Sequence, residues 1–506
     1  MHAALRTTEL RAIIFKQLPL RPLAALASTC KEFSTAALET LWHELNDLRP
    51  ILMLLPQSST DILKGSLHIS PGDVDRIRYY GPFVRRLTVG SEPYFLTPEG
   101  LGRIIIALGG DALFPRLTHL QYHGPSAYAP HLHNLISPTL LRLAVQISVS
   151  DASDADEHLG TEITTLLAPK TRKLRNVKEF SLTIDRKVVL LPVTNMLAGW
   201  NGLQILSLTG QIKRDVLDAV IRLPELRSLA LHCHTEDSLP KLSYTLDKSL
   251  ELPLTLRHLN MCVYSFVSAS NFPGSLPGGT RLELSKLHVE GYYDACELEQ
   301  FCRIVRSRCI PDPLEDIIFE CNEEALQWQM PPFSLPDPAI TLNDFAPLLA
   351  FHQLCNLTIT VPTTLDIADN DLRAMAQAWP HIRTLRLRGI LPSTTRCTLE
   401  GLVHLARNCK RLEHITIALS SSTIAIPRAR PDDAHHALHD LDVLNSPINP
   451  GEITAAAIFL AMHFPQLRRI AACPPHEIGG ATYERGWDAV MKSIPTLFSY
   501  ARICST

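Results

Sequence analysis

The chain has 506 residues, of which 46% are apolar and 20% charged, with a formal net charge of −3. That length exceeds what one compact core holds and predicts either several domains or a repeat architecture. The near-neutral charge excludes the basic signature of a nucleic-acid or anionic-membrane binder, and the apolar content is ample for a buried core.

The first predicted element lies in "TELRAIIFKQL". Leu10, Ile13, Ile14 and Leu18 make one helical stripe there, with Thr8 as N-cap, Glu9 in the first turn, and Pro19 and Pro22 ending it. Arg6, Glu9, Arg11 and Lys16 interrupt this start, so no secretion signal is predicted. A second stripe runs through Leu23, Leu26, Cys30 and Phe33, and a third through Leu38, Leu41, Trp42 and Leu45. Residues 1–48 therefore read as a three-helix module, 49–82 as a helical linker or cap, and 83–506 as a repeat array. Phe15, Leu20 and Trp42 add more apolar surface than three short helices enclose, which predicts a covering partner.

From residue 83 onward one pattern recurs: apolar, two variable, apolar, one variable, apolar. Clear copies are "RLTHLQY", "GLQILSL", "ELRSLAL", "TLRHLNM", "HIRTLRL", "RLEHITI" and "ALHDLDV"; seven weaker ones, from "VRRLTV" to "LRRIAA", bring the set to fourteen, and the central residues run from Leu87 to Ile470. The separations of 23 to 40 residues cluster in the upper twenties, the leucine-rich-repeat period. The last two apolar positions alternate with polar ones as in a half-buried strand, while the preceding stretch has helical periodicity. In "DVLDAVIRLPELRSLAL", Val216, Leu217, Val220, Ile221 and Leu223 share a helical face before Pro224. The predicted fold is α/β: a short three-helix module, then an irregular leucine-rich-repeat solenoid with one strand and one helix per repeat.

Residues between the apolar strand positions point away from the core. That assigns His119, Gln121, His123, His258, Asn260, Lys286, His288, Glu290, Thr384, Arg386 and Arg388 to a concave, partner-binding face. Arg386 and Arg388, two apart on one strand, emerge on one side and suit bidentate capture of a carboxylate or phosphate. Long loops are predicted near 150–162, 322–347 and 420–440, the second carrying Trp328.

The 12 cysteines are scattered singly without CxxC pairs, which predicts reduced thiols in an intracellular, cytoplasmic or nuclear, protein. The longest apolar runs, such as 453–464, are too short for a membrane span. His435 and His439 in "DDAHHALHD" would share a face only on a helix, and with His436 they suit a solvated loop. "HCH" at 232–234 reads as strand-end surface, and Cys473 with His476 as the end of the last repeat. "HEIGG" lacks a zincin's second His, and no phosphate loop or nucleophile elbow occurs. No metal, no cofactor and no enzymatic activity are predicted.

The order Leu10, Ile14-Phe15, Leu18, Leu23, Leu26, Cys30-Lys31, Phe33, Leu41-Trp42 resembles the F-box. Thr7-Thr8 and Pro22 stand where F-boxes usually have Leu-Pro and an acidic residue. With irregular leucine-rich repeats behind it, the chain is similar to the F-box families of mushroom-forming fungi. The resemblance implies that those ten apolar residues, with Cys30 among them, dock on the Skp-type adaptor of an SCF ubiquitin ligase and through it reach a cullin. It also implies that the repeats hold a protein substrate. Two alternatives stay open: the helices are a cap shielding the first repeat, or the repeats are an interaction scaffold working without a ligase.

Overall fold

The computed structural model describes residues 7–55, 69–90, 97–125, 129–148, 174–184, 193–233, 239, 255–274, 276–277, 279–321, 338–391, 395–420, 435–472 and 485–495. The chain divides into two compact units, residues 1–234 with 252–254, and residues 235–251 with 255–506.

The first unit opens with α1 (Thr8–Lys16), α2 (Leu20–Thr29) and α3 (Lys31–Leu41). Thr7 rather than Thr8 is the N-cap of α1, and its side chain makes no capping bond. The second predicted stripe is divided, because Cys30 adopts extended backbone between α2 and α3 and Phe33 belongs to α3. Leu45 leaves the third helix for a strand. Seven parallel strands then stack in sequence order: β1 (Glu44–Leu45), β2 (Arg86–Val89), β3 (His119–Pro125), β4 (Arg142–Ser148), β5 (Glu179–Ile184), β6 (Ile205–Thr209) and β7 (Ser228–His232). Their central residues align in one ladder, Leu45, Leu87, Leu120, Leu143, Phe180, Leu206 and Leu229, all buried. Gly90 ends β2 at φ 137°, and a Cβ there would lie 1.6 Å from the His123 carbonyl oxygen, so only glycine fits between the strands.

The second unit repeats the arrangement with β8 (His258–Ser265), β9 (Lys286–Tyr292), β10 (Asp316–Glu320), β11 (Ile340–Thr341), β12 (Asn356–Val361), β13 (Leu365–Asp366), β14 (Thr384–Gly389), β15 (His414–Thr416), β16 (Asp440–Asp442) and β17 (Arg469–Ala471). All but β11 and β13, which form a separate two-stranded sheet, stack in sequence order. Leu259, Leu287, Ile317, Leu357, Leu385, Ile415, Leu441 and Ile470 form the second ladder. Each side chain withdraws roughly 1.5 to 3 kcal/mol worth of apolar surface from water. Parallel strands in chain order, each reached through a return segment on one side, are a leucine-rich repeat.

Six residues before the centres of β14, β15 and β16 stand three buried side chains with polar groups, Trp379, Cys409 and His435. Trp379 Nε1 donates to the Leu348 carbonyl at 3.3 Å, and the Cys409 thiol donates to the Trp379 carbonyl at 3.5 Å. His435 Nε2 donates in turn to the Cys409 carbonyl at 2.7 Å. Each bond is a second one to a carbonyl that already accepts a backbone N–H: Phe351, Ile382 and Leu412 donate to Leu348, Trp379 and Cys409.

Two predicted loops are corrected by these elements. Residues 338–347 are not loop: they form β11 and a helix at Leu342–Phe345, capped by Asp344 on the Thr341 N–H at 2.7 Å. Of residues 435–440, His435 is buried and Asp440 begins β16, whereas His436 stays exposed outside any helix or strand. His435 and His439 do not share a helix, since no helix forms there. The predicted loop near 150–162, residues 322–337 with Trp328, residues 421–434 of the third loop, and Cys473 with His476 lie outside the described residues.

Candidate functional site

Two surfaces combine the residues singled out by sequence. The first is the helical module. Phe15 and Leu23 are 2% and 1% exposed and, with Ala37, make its core, against which Leu18, Leu26, Phe33 and Leu41 pack. Phe15 and Phe33 meet edge to face at 5.9 Å. The Arg11 guanidinium donates to the Glu32 carbonyl at 2.8 Å, tying α1 to α3. Phe15 and Leu23, assigned above to docking, are consumed in this internal packing and present no surface to a partner.

What remains outside is apolar too. Leu10, Ile13 and Ile14 lie at i, i+3 and i+4 on α1 and are all exposed, Ile13 at 60%; Leu20, opening α2, is 70% exposed. A helix with an apolar stripe toward its own core and a second one toward solvent has more hydrophobic surface than its module can bury. Ile13 was not among the docking residues read from sequence, whereas Leu20 was expected to need a covering partner. Cys30 is exposed, and Trp42 is half-buried against Tyr80.

The second surface is the outward row of strand residues. In the first unit His119 and His123 are half-buried and Gln121 exposed, between the buried Leu120 and Tyr122. The three are not independent: Gln121 and His123 share a 2.6 Å hydrogen bond, and His123 Nδ1 reaches Gln146 at 2.8 Å on β4. Partial burial, with Arg86 and Arg142 nearby, holds the His119 pKa below the ordinary imidazole value.

In the second unit His258 and Lys286 are exposed and Asn260, His288 and Glu290 half-buried. His288 pairs with Glu320 at 3.2 Å. Further along, a hollow of about 530 Å³ opens over β10 to β17. Arg386 and Arg388 of β14 line it, and Thr384 half-buried begins the same strand. The hollow also contains residues that sequence reading missed: His414 on β15, Asp440 and Asp442 on β16, and Arg469 on β17. His414 Nδ1 lies 2.9 Å from the Asp440 carboxylate. Asp442 accepts the Leu444 N–H at 2.9 Å and so holds Leu444 at φ 52°, the sole described non-glycine residue with positive φ. These residues occupy the same alternating strand positions as Arg386. In the sequence they stand in "EHITI", "HDLDV" and "RRIAA".

Among the described residues no group of three His, Cys, Asp or Glu side chains is placed to hold a metal ion, and no helix is long and apolar enough to cross a membrane. The ten described cysteines are free thiols. Burial pushes Cys233, Cys309 and Cys409 up to about 12, far from nucleophilic thiolates.

No family model matches the chain. No curated protein matches it either. Among solved structures it is similar to a chain in the crystal structure of the Rad7 and Elc1 complex in yeast, at 12% identity over 85% of this chain and 93% of that one, with a TM-score of 0.32. It is also similar to an LRR protein of Leptospira interrogans at 15% identity, over 84% of this chain and 99% of that one, with a TM-score of 0.37. A third likeness, to a Bacteroides fragilis protein, has 13% identity over 48% of this chain and 65% of that one, with a TM-score of 0.27.

Proposed function

We propose that the chain is a substrate receptor of an SCF-type ubiquitin ligase. In this reading the helical module docks on a Skp-type adaptor, the adaptor joins a cullin, and the repeats hold the protein to be modified. The chain itself is non-catalytic and works by proximity, raising the effective concentration of the target's lysines near the ubiquitin donor. Its free thiols suit a reducing, intracellular compartment.

The observation that carries this reading is the exposed face of Leu10, Ile13, Ile14 and Leu20 on a module that already has its own core of Phe15, Leu23 and Ala37. A mere cap for the first repeat would turn its apolar residues inward and leave a polar outer face. The order of residues resembling the F-box supplies the identity of the occupant.

Affinity purification of the full chain from cells of the source organism tests it. The adaptor should co-purify with the wild-type chain and be lost from Ile13→Asp, a solvent-facing substitution that leaves the module core intact. If neither protein recovers an adaptor while both retain repeat-bound partners, the chain is an interaction scaffold independent of the ligase.

A further inference from the structure

The hollow of the second unit is not a simple cationic site. Three guanidiniums, Arg386, Arg388 and Arg469, face three carboxylates, Glu320, Asp440 and Asp442, around it. The signs are sorted by strand rather than mixed. Two positive groups stand on β14 and two negative groups on β16, with β15 between them. Two strand spacings separate them, about 10 Å.

Register explains why the charges of β14 and β16 do not cancel, although Arg469 of β17 stands beside Asp440. In one row Arg386 stands beside Thr416, and Thr416 beside Asp442. The neutral Thr416 thus keeps guanidinium and carboxylate apart, and among the described residues Arg386 makes no ion pair or hydrogen bond. In the neighbouring row His414 lies beside Asp440 and takes its carboxylate. Glu320 is likewise engaged, by His288. Asp442 spends one oxygen on the Leu444 N–H and keeps the other for a ligand. The two groups available at the ends of the row are therefore a cation at Arg386 and an anion at Asp442.

We propose that this hollow captures a protein segment carrying an acidic and a basic side chain together, the acidic one on Arg386 and the basic one on Asp442. A polyanion meets Asp440 and Asp442, and a polycation meets Arg386 and Arg388. Each loses at one end what it gains at the other. Only a segment with both signs is complementary along the whole row. About three residues of extended chain span the distance between the two sites. The inference rests on the reading of the repeat face as the partner surface.

Fluorescence anisotropy on the full-length chain tests it with labelled peptides. One set carries a Glu and a Lys two, three or four residues apart in an uncharged frame; the control peptides replace the pair by two Glu or by two Lys. At physiological salt the best mixed peptide should bind about tenfold tighter than either control. Asp442→Asn keeps the bond to Leu444 but removes the charge, and should shift preference to the two-Glu peptide. Arg386→Gln should shift it toward the two-Lys peptide. The proposal fails if the two-Glu peptide equals the mixed one on the wild-type chain, if both variants keep the wild-type ranking, or if no peptide binds. Adaptor recovery is measured on the same proteins. Its loss would overturn the ligase reading alone, because the module lies outside this unit.

Discussion

Trp42 and Tyr80 stack with ring centroids 4.7 Å apart and planes inclined by 30°, joining the end of α3 to the helix Pro71–Tyr80 that precedes β2. Tyr80 in turn meets Tyr79 edge to face at 5.0 Å, and Tyr79 meets Phe83 at 5.9 Å. The pairing of β1 with β2 runs through the same junction. The helical module is therefore continuous with the first repeat and not a bead on a linker.

From this we expect Trp42→Ala to cost roughly 1 to 3 kcal/mol through lost burial and aromatic contact. Near-ultraviolet circular dichroism should lose amplitude and the melting temperature should fall. Adaptor affinity should drop less than in Ile13→Asp, because Trp42 faces Tyr80 and Ile13 faces solvent.

Truncation of a ladder leucine should be felt locally. Leu385 is completely buried between Leu357 and Ile415, and Leu385→Ala should cost about 2 to 5 kcal/mol. Hydrogen exchange should accelerate in β12, β14 and β15 first, since a repeat depends on its immediate neighbours.

His435 predicts a pH dependence with a definite sign. Its Nε2 donates to Cys409 and its Nδ1 accepts the Leu438 N–H at 3.2 Å, so the folded state holds the neutral ring. Burial is the main cause that lowers its pKa below the ordinary 6.5. The unfolded chain therefore takes up a proton first as pH falls below 6.5, and stability is lost from there down to the folded value; above 6.5 it is fully present. Thermal melts from about pH 7 to about pH 5 should show a steeper decline for the wild type than for His435→Gln.

The thiols should react in two classes. Cys30 and Cys296 are exposed and should be alkylated rapidly in the folded protein, whereas Cys233, Cys309 and Cys409 should react only on unfolding. Denatured, unreduced protein should titrate close to the full 12 thiols.

The strand ladder was legible in the sequence because an apolar residue at each strand centre repeats in one register, and all the central residues from Leu87 to Ile470 fall in strands. The three buried polar groups before β14, β15 and β16 were not. Trp379, Cys409 and His435 share a position but not a chemistry, so the Cys409 that resembles the cysteine-containing class of leucine-rich repeats points to neither of the others, and His435 looked like part of a charged loop. In the helical module, periodicity located the apolar positions without saying which of two stripes faces inward. The packing of Phe15 on Phe33 decides that, leaving Ile13 and Leu20 outside. Arg386 and Arg388 stood out as a pair on one strand, while Asp440 and Asp442 acquire meaning only when β16 is placed two strands away.

The account turns on the exposed face of α1 and α2 as the adaptor's seat. Hydrogen exchange of the full chain, with and without a purified Skp-type adaptor, measures this directly. The account predicts slowed exchange across Thr8–Lys16 and Leu20–Thr29 on adding adaptor, with β8 to β17 unchanged. Unaltered exchange in α1 and α2 at saturating adaptor would contradict it.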